Sequence, residues 1–233
     1  YANATDYQYN KNIGANSAVV LTNTKAKGHA LSATFGGTLA PWHGLSGSLF
    51  YTYTEAKEQS NNPGSNAVSA WTNVYSINNP NDQMLYNSNF AVPHRLVASL
   101  SYSFQNTTIG MYYNGSHQGR YSFYYNGDIN KDGISSDLIY LPKSVDEVNF
   151  VNAVDKSGKV LFSIDEQKKA YTEFINNNGL TKYQGKYLER NEFLTPWLNR
   201  IDVRLTQNIF NNLVKKGDKF QFTVDVINLG NLI

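Results

Sequence analysis

The sequence predicts an all-β chain, an antiparallel up-and-down transmembrane β-barrel fragment of about six long strands with long extracellular loops. Three observations predict it. Apolar and polar residues alternate with a period of two in six segments, the spacing of a strand with one apolar face. The segments run for about nine to twelve residues, the length of a tilted membrane strand, where soluble strands average five or six. The connections alternate between short and long, as a barrel with turns on one side of a membrane and loops on the other requires.

The first strand carries Leu31, Ala33, Phe35 and Leu39 on one face, with Gly37 between, against Ser32, Thr34, Gly36 and Thr38. A turn over Pro41–Gly44 leads to Leu45, Gly47, Leu49, Tyr51 and Tyr53, opposite Ser46, Ser48, Thr52 and Thr54. The third strand sets Leu96, Ala98, Leu100, Tyr102 and Phe104 against Ser99, Ser101 and Ser103. Beyond Gln105-Asn106-Thr107, the fourth sets Ile109, Met111 and Tyr113 against Thr108, Gly110 and Asn114. The fifth has Ile201, Val203, Leu205 and Ile209 against Arg200, Asp202, Arg204 and Thr206. After Asn211–Asp218, the sixth has Phe220, Phe222, Val224 and Val226 against Gln221, Thr223 and Asp225. The long connections are 59–94 and 126–198. A loop of that length is unusual inside a compact soluble domain and ordinary on a barrel rim.

Composition agrees. Charged residues make up 16% of the 233, against roughly 25% in soluble domains. Aromatics make up 14%, and 17 of them are tyrosine, a residue suited to a boundary between lipid and water. The charges of the strands (Arg200, Asp202, Arg204, Asp225) all fall on the polar side, as a wet lumen requires. Trp42 and the tyrosines near strand ends fit an interfacial girdle. A net charge of +2 with no basic run argues against a nucleic-acid partner. The absence of cysteine excludes disulfides and thiolate chemistry within this stretch. No stretch reaches the ~20 apolar residues of a membrane helix, and Tyr1-Ala2-Asn3 is not a signal peptide. Six strands are fewer than the eight of the smallest known barrels, so the chain reads as an internal fragment of a longer protein, a partial barrel domain over residues 1–233.

The strongest chemical motif is Asp128-Ile129-Asn130-Lys131-Asp132-Gly133. Oxygen side chains at positions 1, 3 and 5 and glycine at 6 begin a calcium loop. Ile139 stands where a full loop has its bidentate glutamate, so Asp137 would close a shorter one, assisted by the Ile134 carbonyl or Ser136. A metal-free Asp/Asn/Gly turn explains the same residues. Arg200, Asp202, Arg204 and Asp225 read as lumen-facing charges that contact a ligand or pair with one another across strands. Trp71 and Tyr75 in the first long loop either contact a ligand or, with Tyr86 and Phe90, form the loop's own core. Asp165–Asn178, followed by Gly179, predicts a short helix with Ala170, Phe174 and Tyr171 as its apolar stripe. The four histidines form no metal-helix pattern, and nucleophile elbow, phosphate loop and dinucleotide fingerprint are all missing. The expectation is a protein that is not an enzyme. Sequons at Asn3, Asn106 and Asn114 carry little weight in a membrane strand or turn.

Several phrases resemble the C-terminal half of a TonB-dependent outer-membrane transporter, of the large Oar-like type found in Bacteroidetes. They are Pro93-His94-Arg95-Leu96-Val97-Ala98, Asn126 to Gly133 leading to Asp137-Leu138-Ile139-Tyr140-Leu141-Pro142, Glu189-Arg190-Asn191, Pro196-Trp197-Leu198-Asn199-Arg200-Ile201-Asp202, and Val226-Ile227-Asn228-Leu229-Gly230-Asn231-Leu232. The resemblance implies a larger 22-stranded barrel in the bacterial outer membrane, plugged by an N-terminal domain and ending in a strand beyond this sequence. It implies import of a nutrient driven by the TonB complex through that N-terminal part, with outer-membrane lipid around the barrel and a surface lipoprotein lid as a further partner. Competing expectations are a passive porin or barrel-anchored receptor, a barrel enzyme, and a soluble calcium-binding adhesion domain.

Overall fold

The computed structural model of the chain describes residues 22–23, 25–78, 80–130, 134–211 and 214–231. Lys131, Asp132 and Gly133 of the oxygen-rich motif, the Asn3 sequon and Leu232 lie outside the described residues. The fold is mostly antiparallel β-sheet, with two α-helices among the described residues. It divides into a sheet unit (Ala26–Gln59, Leu85–Tyr121 and Phe193 onward) and a unit built chiefly from the long connections, Ser60–Met84 and Ser122–Glu192.

The sheet unit contains β1 (His29–Trp42), β2 (Leu45–Glu58), β3 (His94–Phe104), β4 (Thr107–His117), β5 (Trp197–Asn211) and β6 (Lys219–Val226). Their order across the sheet is their order in the chain, and every neighbouring pair is antiparallel. Three tight connections make this meander. His43 and Gly44 join β1 to β2 with φ of 50° and 84°, the left-handed pair whose twist matches that of a two-stranded ribbon. A Cβ on Gly44 would collide with the backbone carbonyl of Ser103. The expected turn over Pro41–Gly44 is therefore shorter. Pro41 and Trp42 stay in β1, where the register slips between Leu39 and Trp42, a place that tolerates a proline without an N–H. Gln105, with φ 52°, and Asn106 join β3 to β4. Lys215–Asp218 closes the β5–β6 turn through Asp218 N–H to the Lys215 carbonyl at 3.1 Å and Lys215 N–H to the Asp218 carboxylate at 2.8 Å.

The loop-derived unit has its own core of Ala70, Val74, Ile134, Leu138, Leu141, Ile175, Leu180 and Leu188. Its organising strip is 136–141. Ser76 N–H donates to the Ser136 carbonyl, Leu138 N–H to Ser76, Tyr125 N–H to Asp137 and Leu188 N–H to Ile139, at 2.8–3.1 Å. Segments from both long connections thus satisfy their backbone groups on one strip, as buried amides must. The helices are α1 (Ala67–Thr72) and α2 (Ile164–Asn177).

Helix α2 starts on a capping box: Ser163 Oγ accepts from Glu166 N–H at 3.3 Å, and Glu166 accepts from Ser163 N–H at 2.8 Å. It ends before Gly179, which sits at φ 62°. Ile175 is buried and Tyr171 is half-buried against Phe150, while Ala170 and Phe174 are exposed. The stripe predicted on Ala170 and Phe174 is therefore rotated toward Tyr171–Ile175. The Ala153–Val154/Val160–Phe162 hairpin precedes α2. Asp155 closes it by accepting from Ser157 N–H, Ser157 Oγ and Lys159 N–H.

These bonds hold the Asp155 and Glu166 carboxyls below their ordinary carboxylate range, Asp155 chiefly through Ser157 Oγ and Glu166 chiefly through the Ser163 backbone. A lowered folded pKa means the contribution is present above the unfolded value near 4 and is lost as pH falls through the folded value. Acidification below pH ~4 is therefore expected to lower amide protection, measured against the intrinsic exchange rate at each pH, at Ser157, Lys159 and Ser163 before it affects Leu138 and Leu188. Residue-level hydrogen exchange against pH checks this.

Candidate functional site

Residues paired directly across strands project to the same side, so the register assigns every side chain to a face. One row runs Leu39, Gly47, Leu100, Met111, Val203, Val226. The next runs Trp42, Leu45, Tyr102, Ile109, Leu205, Val224. Toward the loop ends follow Gly37, Leu49, Ala98, Tyr113, Ile201 and then Phe35, Tyr51, Leu96, Gly115, Asn199. One apolar surface therefore crosses all six strands. Nothing among the described residues packs it away from solvent: Phe35 is 69% exposed, Leu49 55%, Leu100 45% and Met111 42%. A monomeric soluble protein rarely exposes a contiguous apolar patch of this extent.

Aromatic and imidazole side chains stand at both ends of this face. Trp42, Tyr102, Phe104, Phe210 and Phe220 lie toward the tight turns, and Tyr51, Tyr53, His94, His117 and Trp197 toward the long connections. From the Leu45–Tyr102 pair to the Tyr53–His94 pair, β2 rises roughly 27 Å at about 3.4 Å per residue. The alternation placed Ile209 in the apolar set. A register shift between Asn208 and Phe210 hands that position to Phe210, which pairs with Phe220.

The opposite face is a ladder of hydroxyls and charges. Ser32–Thr54, Thr34–Thr52, Ser48–Ser99 and Ser103–Thr108 bond across strands at 2.7–3.1 Å. Arg204 grips Asp225 with two bonds of 2.6 and 3.0 Å. Arg200 contacts Asp202 at 2.9 and 3.0 Å on its own strand, and Asp202 also accepts Asn228 N–H at 2.8 Å. The four residues expected as lumen charges thus share this face and are joined in two pairs. Phe50 and Val97 also lie here, paired with each other, and the sequence pattern missed both. Gly36 opposite Phe50 leaves the space: a Cβ there would strike the Leu49 carbonyl and the Phe50 ring.

In the loop-derived unit, Asp137 is 4% exposed. Its carboxylate accepts from Ile129 N–H at 2.6 Å and Asn130 N–H at 3.3 Å, which brings the expected closing residue back to the start of the motif. The Asn130 amide donates to the Asn78 carbonyl at 2.6 Å, and Ser136 Oγ to the Thr72 carbonyl at 2.9 Å. Ile134 belongs to the core, and Asp128 begins the motif. Among the described residues no group of three or more acidic or histidine side chains gathers as a metal site. Trp71 Nε1 donates to Asn81 at 3.0 Å, and Tyr75 stacks on Tyr124 at 4.5 Å. Burial, and then the bond to Tyr124, raises the Tyr75 phenol. Tyr183 is pushed up to about 12, first by burial and then by its bond to Glu192. Tyr86 is buried beside β2, whereas Phe90 is exposed.

The cluster absent from the sequence-based expectations is Tyr51, His94, His117 and Trp197. Tyr51 Oη bonds His94 Nδ1 at 2.6 Å, the two imidazoles are 6.1 Å apart, and Trp197 meets His117 edge-on at 5.3 Å. The available signal was positional, since His94 opens one strand and His117 closes the next.

The fold and its faces define a class: an antiparallel meander sheet with one exposed apolar side and one side of hydroxyls and charges. No protein-family model matches the sequence, and no curated protein or solved structure matches it either.

Proposed function

We propose that the chain is the barrel portion of a TonB-dependent outer-membrane transporter that imports a nutrient. The observation that carries this reading is the uncovered apolar face spanning six neighbouring strands, bracketed by aromatic residues and backed by a hydroxyl and ion-pair face. An outer-membrane barrel has these two faces, with lipid on one and a polar lumen on the other. The tight turns at one end of the meander and the long connections at the other support the same reading. The TonB-driven step rests on the resemblance of the Pro93, Asn126, Glu189 and Pro196 segments. In the full barrel the Arg200–Asp202 and Arg204–Asp225 pairs would line the lumen, and the loop-derived unit carrying Trp71 and Tyr75 would stand outside the cell.

The test is fractionation of the full-length protein from its native cells, with detergent extraction and gel mobility before and after boiling. The expected result is recovery in the outer membrane with a heat-shifted band. Recovery as a soluble protein without detergent would remove the barrel reading and favour an adhesion domain. A plug upstream of the barrel separates the transporter from a passive porin.

A structural calcium ion in the Asp128 loop belongs to the proposal, supported by the residue types of Asp128, Asn130, Asp132 and Asp137 and by the return of Asp137 to Ile129–Asn130. Calcium is expected to slow proteolysis within 126–141 by about tenfold at saturation, and Asp137→Asn to abolish that protection. Equal cleavage with calcium and with chelator would assign the motif to a metal-free turn.

A further inference from the structure

We propose that His94 and His117 form a two-imidazole site for a zinc-type divalent ion at the loop end of the apolar face. The site stands on the register of β3 and β4 and does not require the barrel reading.

His94 is the first residue of β3 and His117 the last of β4. Arg95 pairs with Ser116, so the two histidines follow opposite each other and project to one side. They form a row with Tyr53 and Trp197, the next on this face after Leu96 and Gly115. Their ring centroids are 6.1 Å apart. Zinc sits about 2.1 Å from an imidazole nitrogen, which puts it about 3.2 Å from the ring centroid. Two rings on one ion are then at most about 6.4 Å apart, and about 5.2 Å apart at the tetrahedral angle. The observed separation lies inside that limit, and side-chain rotation of about 1 Å reaches the tetrahedral value.

The hydrogen bonds select the kind of occupant. His117 Nδ1 lies 2.7 Å from the Thr195 carbonyl. A carbonyl only accepts, so Nδ1 carries a proton, and the singly protonated ring presents a lone pair at Nε2. His94 Nδ1 lies 2.6 Å from the Tyr51 hydroxyl. In the tautomer that donates to the Tyr51 oxygen, His94 also presents a lone pair at Nε2. No donor among the described residues bonds either Nε2. The nearest donors of the row are committed elsewhere: Trp197 Nε1 donates to Asn199 at 3.0 Å, and Tyr53 Oη to Glu55 at 3.5 Å. An Nδ1–H held by an oxygen while Nε2 faces the metal is the usual arrangement of a ligating histidine. Two such nitrogens on adjacent strands suit zinc, copper or nickel, whereas calcium and magnesium take oxygen ligands. Two side chains supply half of a tetrahedral set, so water fills the remaining positions. The ion would tie together the strand ends from which both long connections leave the sheet.

The full-length protein, in the form in which fractionation recovers it, is stripped with chelator, dialysed and titrated calorimetrically with zinc chloride. His94→Gln, His117→Gln and the double variant are titrated alongside. The expected result is a site in the parent that either single variant weakens by about tenfold or more, with the double variant no different from the singles, the non-additivity of two ligands on one ion. Equal zinc binding in the parent and the double variant would overturn the proposal. So would a loss confined to one of the single variants, which would indicate a one-imidazole contact. A second measurement needs no variant: pulsed electron paramagnetic resonance of the parent with one equivalent of Cu2+ is expected to show coupling to two imidazoles. Coupling to one imidazole or to none would contradict the site.

Discussion

Met111→Arg is expected to destabilise the inserted protein by about 2–4 kcal/mol, the cost of an arginine on the lipid face of a barrel near the bilayer midplane. Met111 lies mid-strand on β4, between Leu100 of β3 and Val203 of β5, and is 42% exposed. Its side chain stands on an exposed apolar face, so in water this substitution would cost little, as surface changes do. The penalty arises only if the neighbouring medium is hydrocarbon. Ser101→Arg, one residue along from Leu100, projects to the hydroxyl face and is expected to cost less than ~0.5 kcal/mol. Denaturant titration in lipid vesicles, scored by the unboiled gel band, gives both values. Equal, small effects at the two positions would indicate that water bathes both faces.

Leu138→Ala is expected to cost about 2–5 kcal/mol, confined to the loop-derived unit. Leu138 is 1% exposed, and its N–H is bound to the Ser76 carbonyl within the strip that gathers both long connections. Removing its methyl groups leaves a cavity that hydrogen-bonded backbone on either side can close only in part. Limited proteolysis of the variant should cut first within 60–84 and 122–192, with β1 to β6 protected. Simultaneous loss of the sheet would mean that the two units fold as one cooperative block.

Much of the sheet was legible because a period-two pattern and a meander are both local properties. Leu31 to Leu39, Leu96 to Phe104 and Phe220 to Val226 declare their faces one strand at a time. The misses come from effects that alternation cannot carry. Phe50 and Val97 are paired on the polar face, where Gly36 leaves room for the Phe50 ring. Phe210 replaces Ile209 because one extra residue shifts the register. The long connections read as two separate loops, yet their hydrogen bonds join Ser76 to residues about sixty positions later. Such pairing depends on partners distant in sequence, and no local pattern announces it. Asp137 stood out by its chemistry, and its carboxylate accepts from the Ile129 and Asn130 N–H groups at the start of the motif. The His94–His117 pair did not stand out, since their adjacency exists only once β3 and β4 are in register.

The central claim is that hydrocarbon contacts one side of this sheet and water the other. This stretch contains no cysteine, so single cysteines at Leu100, Ser101, Tyr102 and Ser103 can each carry a nitroxide label at a unique place in it. Collision rates with oxygen, which partitions into lipid, and with a water-soluble nickel chelate are then measured on the reconstituted full-length protein. The account predicts strict alternation, with oxygen dominant at 100 and 102 and the chelate dominant at 101 and 103. High chelate accessibility at all four positions would contradict it.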